Sequence, residues 1–389
     1  METYHLRKGI HRLPGKVIHA IPLPKPDVTE GLGSRRQVGE ICRKCGYKHA
    51  LVVTDRTLSQ LGYDKAVVES LEAAGVGCTL YNGIHSEPTV AIIDEGRQQA
   101  LTSQAECIIA LGGGSVMDSC KMIAASVKTP RLSVSSLLLK FLPVAGGTLP
   151  VIMIPSTAGT GAEMTVGAVV TNGKGAKGST VLIGLNVPHV LLDSELTMRA
   201  PEQVTAACAI DALSHCVEGV VSDTEVNAED MYKSLEGVRL IMQNLPIVMK
   251  EPENNEARLA MARAAMYGGN AINTQLAGYV HAFAHSIGAL YHLPHGVAIS
   301  LMLMPILEFQ KEACQNKYAM MAQYCGVPDF LQAVRDLLKV CAMDQIVSPI
   351  KAEDHKKLIR MVAADSVNYS APVTFANKDI EQILKQLTL

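Results

Sequence analysis

The sequence predicts an α/β N-terminal domain on a parallel, Rossmann-like sheet, followed by an all-α C-terminal domain. Three observations lead there. Short β-branched runs alternate with longer amphipathic stretches from about Ala50, which places the α/β domain at residues ~30–195. A glycine-rich turn directly follows one of those runs, and beyond Pro201 the texture changes to long, helically spaced segments with almost no strand-like runs. A chain of 389 residues also exceeds the roughly 250–300 at which a single core stops growing, so two domains are expected, 1–197 and 198–389.

Taken in order, Gly31-Leu-Gly33-Ser-Arg-Arg reads as a turn before a helix, because the third glycine of a dinucleotide fingerprint is missing. ALVVTD, ending at Asp55, is the first clear strand; a helix runs from it to about Gly75. CTLYNGI, a second helix and CIIALGGGS follow. The runs Val151–Pro155 and Val190–Asp193 extend the sheet, and strand-helix alternation makes it parallel and helix-covered. Leu132–Val144 is the most apolar segment, but it holds Lys140 and Pro143 and falls short of the ~20 residues a membrane span needs. It reads as a buried segment. After Pro201, helices are expected over Glu202–Val221 and Ala257–Leu290 and on to the C-terminus. The first ~25 residues are the least informative, and no internal repeat or low-complexity tract is evident.

Composition narrows the partners. Apolar residues make up 48% of the chain and charged residues 19%, as in a well-buried globular protein. With 35 basic and 37 acidic residues and no long single-sign block, nothing favours nucleic acid or an anionic membrane, which leaves small molecules. Ten irregularly spaced cysteines read as reduced thiols, so a cytoplasmic protein is expected. Cys42-Arg-Lys-Cys45 has no second pair to complete a zinc site. Near the N-terminus, Glu2 and Pro14 interrupt the basic residues and no apolar core with a cleavage site follows, so no signal peptide is expected.

Gly112-Gly113-Gly114-Ser115 follows the run CIIA and opens a helical stretch containing Asp118. Glycines let backbone approach a phosphate, and a helix start presents free N–H groups; a bare β-to-helix turn has the same composition. Pro155-Ser156-Thr157-Ala158-Gly159-Thr160-Gly161-Ala162-Glu163 forms a second small, hydroxyl-bearing loop after a strand. Two such loops suit an extended dinucleotide. Asp55 is placed to accept from both ribose hydroxyls and repel a 2′-phosphate, which favours NAD over NADP, although a strand-end Asp also forms turns.

Asp211 and His215, four apart in AIDALSHCVEG, project from one helical face. HAFAHSIGALYHLPHG then supplies His281, His285, His292 and His295, four of the twelve histidines within fifteen residues. Pro294 ends the helix and leaves His295 on the following loop, able to fold back. One carboxylate and three neutral imidazoles suit one divalent ion, Fe²⁺ or Zn²⁺, with a position open for substrate oxygen.

In the order VTD, GGGS-x-x-D, PSTAGTGAE, AIDALSHCVEG and HAFAHSIGALYHLPHG, the sequence resembles the iron-containing (group III) alcohol dehydrogenase family from about Gly31 to Pro328. The resemblance implies an α/β dinucleotide domain, a helical metal-binding domain and hydride transfer between nicotinamide and a small alcohol or aldehyde. It assigns the metal ligands to Asp211, His215, His281 and His295. Cofactor contacts fall on Asp55, Gly113, Gly114, Ser115, Ser156 and Thr157, with Gly112 and Asp118 in the same motif. His285, one turn from His281, matches a histidine linked to proton transfer, and homodimers or larger rings are the implied assembly. Glu87-Pro88 and Tyr369-Ser370-Ala371-Pro372 depart from the family's Asn-Pro at positions where specificity is usually set. A dehydroquinate synthase-like lyase or cyclase is the alternative, but that family uses a Glu and two His.

Overall fold

The computed structural model describes residues 23–85, 87–138, 141–144, 146–171 and 177–388. The first 22 residues, including the basic N-terminal stretch, lie outside the described residues. The described chain divides into two compact units, one of residues 23–157 and 162–199, the other of 158–161 and 200–388.

In the first unit, strands β1 (Asp27–Glu30), β2 (His49–Asp55), β3 (Gly77–Ile84), β4 (Cys107–Gly112), β6 (Val151–Pro155) and β9 (His189–Leu192) form one sheet in the order β1-β9-β6-β4-β2-β3. Every pair in it is parallel. Helices α1 (Val38–Lys44), α2 (Arg56–Gln60), α3 (Tyr63–Ala73), α4 (Val90–Thr102) and α5 (Gly114–Lys128) connect its strands, and the short α6 (Glu195–Met198) closes the unit. All six β4 residues and all five of β6 are buried, as expected of strands covered on both faces. The predicted parallel α/β class holds.

Four local expectations change. The single helix expected up to Gly75 is two, because Gly62 takes a left-handed φ of 75° between α2 and α3. The edge strand β1 was not read, since its four residues, three of them exposed, carry no apolar period. A second sheet, β5 (Phe141–Pro143), β8 (Lys177–Ile183) and β7 (Gly167–Thr171), contains an antiparallel pair that the all-parallel reading missed. Among the described residues of Leu132–Val144, Val134 and Leu137 are covered in a 3₁₀ turn, while Leu132 is 43% exposed.

One buried ion pair ties the ends of this unit together. Asp193 follows β9 and accepts from the Arg35 guanidinium at 2.6 Å and from the backbone N–H groups of Gly33, Arg35 and Glu195. The turn after β1 is thereby fixed to the end of β9, and the surrounding donors satisfy a carboxylate that would otherwise be costly to bury.

The second unit is helical, as predicted: α7 (Glu202–Val221), α8 (Ala228–Lys250), α9 (Asn255–Gln275), α10 (Tyr279–Tyr291), α11 (His295–Phe309), α12 (Gln315–Cys325), α13 (Phe330–Val340), α14 (His355–Asp365) and α15 (Asn377–Gln386). Among the described residues α7 alone is long and apolar enough to cross a membrane, yet most of it is covered inside the unit, where it forms the centre of the core. The stretch expected as Ala257–Leu290 is two helices, broken at Leu276-Ala277-Gly278; Leu276 sits at φ 67° and stops α9. His295 is not on a loop. Tyr291 ends α10, His292 turns at φ 56°, and Pro294 caps α11 with His295 as its first residue.

Candidate metal centre and dinucleotide loops

The metal-type residues converge within the helical unit. Asp211 and His215 stand one turn apart on α7, with His215 Nε2 3.7 Å from Asp211 Oδ1. His281, third residue of α10, brings its Nε2 to 3.6 Å from the same oxygen. His295, at the start of α11, brings its Nε2 to 3.2 Å. Asp211, His281 and His295 each offer a ligand atom within 4.8 Å of one another. His215 flanks them, its ring stacked on His281 with centroids 4.5 Å apart.

These atoms fit a cation. Asp211 Oδ1 and His281 Nε2 are buried and have no hydrogen-bond partner, though buried polar atoms are nearly always paired. A carboxylate oxygen and imidazole lone pairs aimed at one point form the donor set for a borderline divalent ion. Burial opposes charge on Asp211, but His215 and His295 beside it hold the carboxyl well below its usual range. Burial drives His215 down to about 3, so its imidazole is neutral. For His281 burial acts in the same sense, but with no cation present the carboxylates of Glu218 and Asp211 prevail and lift it to about 10, so a cation binding at Nε2 would displace a proton from it.

His285 lies outside this group. Its ring stacks on that of His295 with centroids 5.3 Å apart, and its Nδ1 is 2.9 Å from Asp365 Oδ2 and 3.2 Å from the Tyr369 hydroxyl. His292, the fourth histidine of the run, is the left-handed residue that ends α10. Sequence reasoning missed Asp365, and it marked Tyr369 only as part of a departure from the family motif, not as a partner of His285 some eighty residues away in the chain. It also missed Glu218, although Asp211, His215 and Glu218 fall at i, i+4 and i+7 on α7, a spacing that signals one shared face.

In the α/β unit, three candidate loops stand side by side. The parallel register pairs Thr54 with Leu111 and Gly112 with Pro155, so the C-terminal ends of β2, β4 and β6 are adjacent. Asp55, Gly112–Ser115 and Ser156-Thr157 leave from those ends, where ligands of parallel α/β sheets sit. The chain order reverses there too, since β2 lies between β3 and β4. Gly113 precedes α5 with no side chain capping the helix, so its first N–H groups are available to an anion. A Cβ at Gly113 would come into contact with Thr157 at 3.4 Å.

Two of the predicted contacts have partners in the fold. Asp55 caps α2, accepting from Leu58 N–H at 2.9 Å, which is the turn-forming role its position also allowed. Asp118 accepts from Lys121 Nζ at 3.0 Å and from Val169 N–H at 2.9 Å, while Lys121, fully buried, also donates to Thr165 and the Gly167 carbonyl. Both oxygens of Asp118 thus fasten β7 to α5.

Comparison with known proteins completes the picture. The iron-containing alcohol dehydrogenase model matches residues 25–194, and the C-terminal model of the Fe-containing alcohol dehydrogenase family matches residues 205–388. The chain is 30% identical to a 1,3-propanediol dehydrogenase of Citrobacter freundii over 90% of its own length and 94% of that protein. It is 30% identical to a lactaldehyde reductase of Escherichia coli over 76% and 77% of the two chains. Its fold superposes with TM-score 0.87, at 25% identity and over 94% and 98% of the chains, on a sulfoacetaldehyde reductase from Bifidobacterium kashiwanohense crystallised with NAD⁺. The family models cover both halves of the chain and give no support to the cyclase alternative. With an α/β unit, a helical unit, a carboxylate among three imidazoles and these matches, the chain belongs to the iron-containing alcohol dehydrogenase family and is an NAD-linked, metal-dependent alcohol/aldehyde oxidoreductase.

Proposed function

We propose that the protein interconverts a short-chain aldehyde and its primary alcohol, using NAD(H) and one divalent ion, iron or zinc, held by Asp211, His215, His281 and His295. The observation that carries this reading is the convergence of three imidazole nitrogens on Asp211 Oδ1 at 3.2–3.7 Å. A divalent ion there supplies Lewis acidity to the alcohol or carbonyl oxygen. Asp211 supplies the one negative charge of the ligand set, leaving a net charge near +1 on the ion and its ligands. Bound NAD⁺ would supply the hydride acceptor in the oxidative direction, and the hydroxyl proton would have to leave toward water. His285, hydrogen-bonded at Nδ1 to Asp365 and Tyr369, is oriented to carry that proton.

The coenzyme is taken up by the loops at the ends of β2, β4 and β6. Backbone N–H groups of Gly113, Gly114 and Ser115, next to Gly112, would hold the pyrophosphate, Ser156 and Thr157 a second portion, and Asp55 the ribose. The relatives' names point to small, polar aldehydes and alcohols, lactaldehyde, propanediol and sulfoacetaldehyde, and a substrate of that size is the one to test first. The expected setting is the cytoplasm, in keeping with ten free cysteines, and the expected assembly a homodimer or larger ring. NADH oxidation with a panel of short aldehydes, before and after chelation and after return of Fe²⁺ or Zn²⁺, tests the reading. Activity that survives complete removal of the ion ends it.

A further inference from the structure

Glu218 is buried on α7, one turn past His215, and both oxygens of its carboxylate are used by the start of α10. Oε1 accepts from the backbone N–H of Val280 at 2.7 Å, and Oε2 lies 2.5 Å from Nδ1 of His281. With Oε1 already accepting from Val280, the short contact of Oε2 has the geometry of an N–H donated to a carboxylate by Nδ1 of His281. Its other nitrogen, Nε2, points at Asp211 Oδ1 and has no hydrogen-bond partner. The approach is built into the backbone: α10 begins after Gly278, which offers no capping side chain, and a Cβ there would come within 2.7 Å of Glu218 Oε1. A positive helix start also favours the carboxylate where it lies.

We propose that Glu218 is a positioning residue for the metal centre, fixing His281 in the tautomer with the proton on Nδ1 so that the Nε2 lone pair faces the ion. The proposal rests on the metal reading above. Histidines that ligate metals commonly donate their other N–H to a carboxylate, and loss of that partner typically weakens the metal by about 10–100-fold. Here the same carboxylate also holds the first turn of α10, so the ring's orientation and its tautomer are set by one group.

The test uses the full-length protein and two substitutions whose effects diverge. In Glu218→Gln one amide oxygen must serve two donors. If it serves Val280, the amide NH₂ meets Nδ1, which can then only accept, and the proton moves to Nε2 and blocks the ligand position. Glu218→Ala leaves room for water to accept from Nδ1, so the tautomer survives. Zn²⁺ affinity, measured by competition with a chromophoric chelator, is expected to fall about 10–100-fold in the Gln variant and less in the Ala variant. The visible spectrum of Co²⁺ should weaken or shift in the Gln variant alone. A packing role predicts the reverse order, with Ala worse and Gln near wild type, and that result overturns the proposal. Histidine ¹⁵N spectra of the Zn²⁺-loaded wild type decide even if both variants fail to fold: Nδ1 of His281 must carry the proton, and a proton on Nε2 overturns it. A wild type that binds neither Zn²⁺ nor Co²⁺ removes the metal reading together with this one, whereas tight binding unchanged in the Gln variant removes this one alone.

Discussion

Asp211→Asn tests the centre most directly, because it keeps the side chain's volume and removes only its charge. Oδ1 of Asp211 is the shared neighbour of three imidazole Nε2 atoms, at 3.7, 3.6 and 3.2 Å, and the carboxylate is almost wholly buried. Removing one partner of a buried charge pair typically costs about 3–5 kcal/mol. At about 1.4 kcal/mol per tenfold, metal affinity should fall by roughly two to three and a half orders of magnitude. Neutral Asn relieves the burial of a charge when no ion is bound, so the fold should survive. Chelator competition gives the affinity, elemental analysis the occupancy, and NADH-linked aldehyde reduction the activity; the last two should fall together. A variant that keeps full metal and full turnover would refute the assignment of Asp211 as a ligand, and with it the argument from convergence.

Three further outcomes are expected. Asp55→Gly should relax coenzyme choice toward NADP(H), and since Gly replaces a helix cap at a cost of only a few tenths of a kcal/mol, kinetics with both coenzymes remain interpretable; a wild type that prefers NADPH would sink the idea. His285→Ala should retain metal while turnover drops by about 10²–10⁴-fold and the pH profile changes, so unchanged rates across pH would remove His285 from proton transfer. Burial pushes the Glu163 carboxyl up to about 7 from 4.5, against the weaker opposing pull of its own backbone N–H and Lys121. Between those values the unfolded chain releases this proton and the folded protein keeps it, so its contribution to stability is whole below pH ~4.5, declines up to pH ~7 and is lost above, about 3 kcal/mol in all. Denaturant unfolding at pH 5 and pH 7 should show that decline, and Glu163→Gln should flatten it; an equally steep decline in the variant would locate its source elsewhere.

The sequence made the strands legible where both faces are covered, since β4 and β6 are continuous apolar runs that need no partner to be recognised. Helix α7 was likewise readable to its ends, with Pro201 before it and a long apolar face within it. What escaped depended on pairing. β1 is exposed over most of its length and is a strand only because β9 lies beside it. His295 was misplaced because Pro294 carries two meanings: it stops the preceding helix, and with φ −55° it also fits just ahead of a helix's first turn. Asp118 reads as a phosphate-loop residue from its motif, yet its oxygens are taken by Val169 and Lys121, contacts no local pattern announces. Glu218 was visible as the third member of an i, i+4, i+7 face, but its use required knowing that α10 starts against it.

The same dependence on close approach explains why so many small residues surround the centre. A Cβ on Gly268 of α9 would sit 3.1 Å from the Cβ of His215, and one on Gly269 would meet the Gly161 carbonyl at 2.1 Å. On α11, a Cβ at Gly296 would strike the Ala207 carbonyl of α7 at 2.5 Å, and Gly278 leaves room for Glu218. What the four share is backbone packed against backbone or against a side chain at or next to the proposed metal centre. Glycine weakens helices by about 1 kcal/mol relative to alanine, so the three that lie within helices, Gly268, Gly269 and Gly296, are a standing cost. That cost is offset only if α7, α9, α10 and α11 must come near enough for side chains as short as Asp211 and the three imidazoles to reach one point. A longer carboxylate at position 211 would relieve the need for such proximity but would also gain rotamers, and the site would lose the fixed geometry that a tightly held ion demands.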